Sequence, residues 1–234
     1  AAAAPPLSQR RRLYSRRWTV AMPTSNGFRR DTTHTPCHLA YVIFSMQRSG
    51  TTTLCRDLSR LNMNCMFELF NWGKNNAGHK WGRLLNISNE EARRSPMRYV
   101  DQVLRAENAS RLVGRNITST RSTHGQTDAQ CMSGFKLFPN QAITPKVAAG
   151  LATTCIVHRR RNVSAQYLSW KRATTFGGSC WGADPHAQRY CNQTHPVTIG
   201  NDFPAFAQRV ANWYIEVEKA CAGKPTVQWT MEEH

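Results

Sequence analysis

Apolar and polar positions along the chain divide it into alternating strand and helix signals. Leu39 to Phe44 is an unbroken apolar run and predicts a buried strand. A short loop, Ser45 to Gly50, follows. A helix-compatible segment then starts at Thr51, with Leu54, Leu58 and Leu61 spaced as a core stripe. Residues 72 to 88 are rich in Gly and Asn and read as loop. Ser88-Asn89-Glu90-Glu91 has the form of a capping box and predicts a helix over 89 to about 107. A polar loop (114–130), a strand at Gly134 to Leu137, a weak helix (143–151) and a strand over 153–158 come next. A helix is predicted over 163–174, then a long insert from Thr175 to Asn201. Asp202 is expected to cap a helix whose Phe203, Phe206, Val210, Trp213, Tyr214 and Val217 share one face, with Gly223 ending it. Thr226 to Thr230 reads as the last strand. This alternation predicts an α/β fold, a parallel sheet with helices on both faces. No internal repeat is visible.

The loop between the first strand and the first helix carries candidate chemistry. A strand, a tight turn and a helix start make a phosphate-binding geometry, because the first-turn N–H groups and the positive end of the helix dipole face an anion. Gly50 lets the backbone approach closely, and Arg48 adds a fixed positive charge with several donors. The ATPase pattern Gly-x-x-x-x-Gly-Lys-Ser/Thr is not met, since no Gly precedes the loop and no Lys follows Gly50.

Arg48-Ser49-Gly50-Thr51-Thr52 resembles instead the 5′-phosphosulfate loop of sulfotransferases. Further segments agree with that resemblance, in the family's order. Thr153 to His158 runs into Arg159-Arg160-Arg161-Asn162, and Arg161 and Ser169 have the eight-residue spacing of the family's 3′-phosphate pair. Arg160 or Arg159 could take the Arg161 role, and Val163 replaces the usual Pro. Cys65-Met66-Phe67-Glu68-Leu69-Phe70-Asn71 resembles the Gly-Glu-x-x-Asn segment of carbohydrate sulfotransferases, especially the bacterial trehalose type. Ser133-Gly134-Phe135-Lys136 resembles their Gly-Phe-Lys strand, and Thr230-Met231-Glu232-Glu233 loosely matches a later segment. The matches cover roughly residues 39 to 230.

The resemblance implies a P-loop-containing nucleotide-binding fold of the sulfotransferase type. It implies transfer of a sulfuryl group from 3′-phosphoadenosine 5′-phosphosulfate to a hydroxyl, with a carbohydrate as acceptor and no metal. Ser49, Gly50, Thr51, Thr52 and Thr53 would hold the 5′-phosphate, and Arg161 and Ser169 the 3′-phosphate. Arg48 would stabilise charge on the leaving phosphate, and Glu68, at a strand end beside the loop, would take the acceptor proton. Lys136 would either face the cofactor or pair with Glu68. The alternatives from other classes are a P-loop kinase or nucleotide hydrolase, and a non-catalytic basic module for glycan or nucleic acid.

Composition bears on partners and location. Lys plus Arg number 31 against 14 Asp plus Glu, a formal charge of +17 that suits an anionic partner. No zinc-finger, RNA-recognition or homeodomain signature points to a specific nucleic acid. At 234 residues the chain is long enough for one domain, expected over 37–234, behind a basic, disordered tail or stem at 1–36 that could also be a transit peptide. The start without Met and the abrupt Glu232-Glu233-His234 end suggest a fragment, C-terminally incomplete and with any membrane anchor upstream. No run of eighteen apolar residues occurs. Asn86, Asn108, Asn116, Asn162 and Asn192 begin glycosylation sequons, more than chance gives for this composition; Asn162, inside the expected cofactor site, should stay unmodified. Together with eight Cys they favour an oxidising lumen, here the Golgi. Within the insert, Cys180 and Cys191 are expected to close a disulfide. Zinc at Cys180, His186, Cys191 and His195, or free thiols, are the alternatives.

Overall fold

A computed structural model describes residues 38–61, 63–74, 76–112, 132–176, 194 and 196–231. These lie in one compact unit. Five strands form one all-parallel sheet: β1 (His38–Ser45), β2 (Met63–Cys65), β3 (Met132–Leu137), β4 (Thr154–Arg160) and β5 (Thr226–Met231). Their order across the sheet is β2-β3-β1-β4-β5, so β1 is central. Seven described helices flank them: α1 (Thr51–Arg60), α2 (Ala77–Leu85), α3 (Asn89–Arg94), α4 (Pro96–Leu112), α5 (Pro145–Leu151), α6 (Val163–Phe176) and α7 (Phe203–Cys221).

The order explains the layering. Crossovers between parallel strands are right-handed. The step from β1 to β2 runs one way across the sheet, and the three later steps run the other way. So, among the described helices, α1 alone covers one face, and the remaining ones share the opposite face. The core divides accordingly. Tyr41, Ile43 and Ile156 pack with Leu54, Cys55 and Leu58 of α1. Val42, Phe44, Phe135, Leu137 and Val157 belong to the larger cluster with Tyr99, Phe206 and Tyr214. This is the two-residue alternation of a strand buried on both faces. Each buried Leu of α1 contributes about 1.5–3 kcal/mol relative to exposure.

Several sequence expectations change in detail. Leu61 lies past the end of α1 and is 64% exposed, so the stripe stops at Leu58. The stretch read as loop over 72–88 contains α2, and Gly78 explains why. A Cβ there would meet the carbonyl oxygen of Leu69 at 2.5 Å, so only glycine lets the helix start pack against that backbone. The predicted 89–107 helix is two helices that meet at Ser95, with Pro96 opening the second. The capping box is present: the Glu91 N–H donates to Ser88 Oγ (3.2 Å) and the Ser88 N–H to Glu91 Oε2 (2.7 Å). Asp202 occupies the N-cap of α7 but makes no side-chain cap. Its carboxylate instead accepts from Tyr167 Oη and lies 3.6 Å from Lys171 Nζ. Gly223 follows α7 with φ 77°, as a helix-ending residue should.

Among the described residues two disulfides join separate elements, one pair close in sequence and one far apart. Cys55–Cys65 ties α1 to β2, and Cys155–Cys221 ties β4 to the end of α7. The expected Cys180–Cys191 bridge and the expected tail at 1–36 lie outside the described residues.

A candidate anion site at the end of the central strand

The loop after β1 is held by side chains that take its carbonyls. Ser49 Oγ donates to the Met46 carbonyl (2.7 Å), Gln166 Nε2 of α6 to the Gln47 carbonyl (3.0 Å), and Arg160 Nη1 of β4 to the Arg48 carbonyl (3.1 Å). In a trans peptide the N–H points opposite to the C=O. No cis bond occurs among the described residues, so the Gln47, Arg48 and Ser49 N–H groups face away from those anchors. Arg48 (φ 65°) and Gly50 (φ 85°) are both left-handed, and the loop has the alternation that makes an anion-binding concavity. Gly50 is also pressed by β5: a Cβ there would meet Met231 Sδ at 2.3 Å. Helix α1 starts at the next residue with no side-chain cap, leaving its first turn open to an anion.

Positive charge gathers around the loop. Arg48 Nε donates to Ser169 Oγ at 3.0 Å, which brings together two residues that lie 121 positions apart. Burial holds the Arg48 guanidinium below its ordinary range, and the like charge of Arg172 adds to the effect. Arg160 is lowered in the same way, by burial and then by Arg48. A dianion would relieve this crowding.

The three consecutive arginines have separate placements. Arg159 points to the opposite face, where it pairs with Glu218 and stacks 4.5 Å from the Tyr214 ring centroid. Arg160 continues the α1-side row and supports the loop. Arg161 lies just past the strand and is exposed. Asn162 accepts from the Ala165 N–H at 2.9 Å and so caps the start of α6. Of the loop residues, Ser49 and Thr51 are buried and Thr53 is exposed.

Glu68 lies three residues beyond β2, and β3 stands between β2 and the central strand. Its carboxylate accepts from Asn71 Nδ2 at 2.6 Å and lies 3.8 Å from Lys136 Nζ. Lys136 projects from β3 on the α1 face and is 3% exposed. Its ammonium lies 5.0 Å from the Phe67 ring centroid and 5.5 Å from that of Phe138. Burial pushes the Lys136 ammonium below its usual range, and Glu68 opposes that. Of the two readings of Lys136, the structure contains the Glu68 pairing. The residue before Glu68, Phe67, has φ 54°, and its carbonyl accepts from the Lys136 N–H at 2.7 Å.

Sequence reasoning missed Gln166, the loop-anchoring role of Arg160, and His158, which sits beside Ser45 in register. A buried glutamine one turn before Ser169 was the available signal for the first of these. Among the described residues no group of three or more His, Cys, Asp or Glu is placed to hold a metal, and no helix is long and apolar enough to cross a membrane. The two disulfides suit a secreted or lumenal protein. No family model matches the chain, and no curated protein or solved structure is significantly similar to it.

Proposed function

We propose that this chain is a sulfotransferase that moves a sulfuryl group from 3′-phosphoadenosine 5′-phosphosulfate to a hydroxyl, most plainly that of a carbohydrate. The observation that carries the reading is the turned-out Met46–Arg48 carbonyls, which leave a row of loop N–H groups for a phosphate at the start of α1. The Arg48–Ser169 contact supports it, since the resemblance assigns one to the 5′ end and the other to the 3′ end of the same nucleotide.

In this reading the amides of Ser49 to Thr52 and the hydroxyls of Thr51 and Thr52 bind the 5′-phosphate, and Arg161 with Ser169 binds the 3′-phosphate. The acceptor oxygen attacks sulfur and gives its proton to Glu68. The bond from sulfur to the bridging oxygen breaks, and the 5′-phosphate leaves carrying that oxygen and its electron pair. Arg48 stabilises the charge that develops there. Lys136 orients the Glu68 carboxylate through their ion pair. The disulfides and sequons fit a Golgi-lumen location.

Calorimetric titration with 3′-phosphoadenosine 5′-phosphate against ADP tests the reading. The 3′-phosphate should give tenfold or tighter binding, as a charge-assisted contact of about 1.5–3 kcal/mol requires. Equal affinities would remove the 3′-phosphate assignment. Tighter ADP binding would favour a kinase or nucleotide hydrolase.

A further inference from the structure

His158 is buried, at 1% exposure, and neither of its ring nitrogens has a hydrogen-bond partner. Its main chain is fixed by two donors to one carbonyl, Ser45 Oγ at 2.9 Å and Tyr214 Oη at 2.7 Å. The imidazole has no such anchor. Buried polar groups are nearly always bonded, so an orphaned ring at a strand end asks for a missing partner.

Its position says where that partner lies. His158 alternates with Cys155 and Val157 of the larger core and shares the face of Ile156, the α1 side. Its register partner on β1 is Ser45, whose hydroxyl meets that of Ser49 in the loop. Its partner on β5 is Trp229, and two residues further Met231 presses on Gly50. The next residue on the same side of β4, Arg160, holds the Arg48 carbonyl. The ring therefore stands under the loop, on the side from which α1 departs.

We propose that His158 is a direct ligand of the anion held on this loop, its ring N–H donating to a phosphate or sulfate oxygen from below while the backbone amides donate from the loop itself. This rests on the reading of the loop as an anion site. A further consequence is proton uptake. Empty, the ring is held down to about 4 by burial and by the Lys136 charge. An anion against it favours the charged form and raises its proton affinity. The charge acting on it is Lys136 from β3, with Glu68 behind it; Arg160 follows on the same side of its own strand, beside Arg48 of the loop. From α1 this side meets Leu54, Cys55 and Leu58, and from β5 Val227 and Trp229, none of which titrates in this range.

Nitrogen-15 spectra of the histidine rings during titration with 3′-phosphoadenosine 5′-phosphate, and separately with inorganic sulfate, read the contact without any substitution. The His158 ring signals should move with the same saturation curve as the Ser49 to Thr51 amides. Binding at pH 5.5, measured in two buffers of different ionisation enthalpy, should take up a fraction of a proton. His158→Leu should weaken nucleotide binding about tenfold and abolish the uptake. His158→Gln, which keeps a donor, should recover part of the affinity and none of the uptake. Ring signals that stay still while the loop amides shift would overturn the His158 contact and leave the loop reading standing. If neither nucleotide nor sulfate moves the loop amides, both fail together.

Discussion

Arg160 reaches from the end of β4 to the loop after β1, its Nη1 donating to the Arg48 carbonyl at 3.1 Å. That one contact fixes the peptide between Arg48 and Ser49 and so aims the Ser49 N–H away from the strand. It assigns Arg160 to the shape of the loop, while Arg161 lies exposed just past the strand.

Arg160→Ala should therefore weaken 5′-AMP and 3′-phosphoadenosine 5′-phosphate alike, by about tenfold, because the shared 5′-phosphate loop loosens. Arg161→Ala should weaken only the nucleotide that carries the 3′-phosphate. Calorimetry of both variants with both ligands gives four affinities. A 5′-AMP loss in the Arg161 variant equal to that in the Arg160 variant would erase the division of labour.

Glu68→Gln should leave affinity for 3′-phosphoadenosine 5′-phosphate nearly unchanged while lowering turnover on the order of 10²–10⁴. Asn71 can still bond the amide that replaces the carboxylate. Turnover close to that of the parent, at saturating acceptor, would assign the proton to another group.

Stability should fall as pH drops from about 6.5 toward 4. The unfolded His158 titrates near 6.5 and the folded one at about 4, so between those values the unfolded chain binds more protons and gains on acidification. The full effect is roughly 3 kcal/mol. Urea midpoints at pH 7 and pH 4.5 should therefore differ more in the parent than in His158→Gln. Parallel pH dependence in the two proteins would show that carboxylates alone account for the acid loss.

Reduction should destabilise the fold substantially. The chain-entropy picture gives about 4 kcal/mol for Cys155–Cys221, which closes 66 residues, and about 3 kcal/mol for Cys55–Cys65, which closes 10. Thermal unfolding with and without reductant checks the sum, and Cys221→Ser isolates the larger share. An unchanged transition would mean that the bridges constrain little.

The strand and loop were readable in the chain because both signals are local. An apolar run ends at a polar turn with one glycine, and a helix stripe follows. The division among Arg159, Arg160 and Arg161 was not readable. Strand alternation carries β4 two residues beyond the predicted end at His158, so the face of each arginine depends on a boundary that the arginines themselves do not mark. Helix α2 was hidden for a related reason. Gly78 and Gly82 look like loop residues by composition but serve close packing, Gly82 against the Trp72 ring. The disulfide partners are set by the sheet order, and Cys155 and Cys221 give no sign in sequence of sharing a neighbourhood.

The central place of β1 has a consequence for how a ligand is received. A strand paired on both edges and covered on both faces gives up its amide protons only when the whole domain opens. Loop residues Ser45 to Gly50 grow directly from that strand and are tied to β4 and α6, so their ordering is completed during folding. A nucleotide then meets a site already shaped, and its affinity is not reduced by the entropy of arranging the loop. Adjustment on binding falls instead to the sheet margins, to β5 with its alternately exposed residues and to the short β2. Amide exchange should be slowest in β1 and hardly change with ligand, while the margins slow markedly.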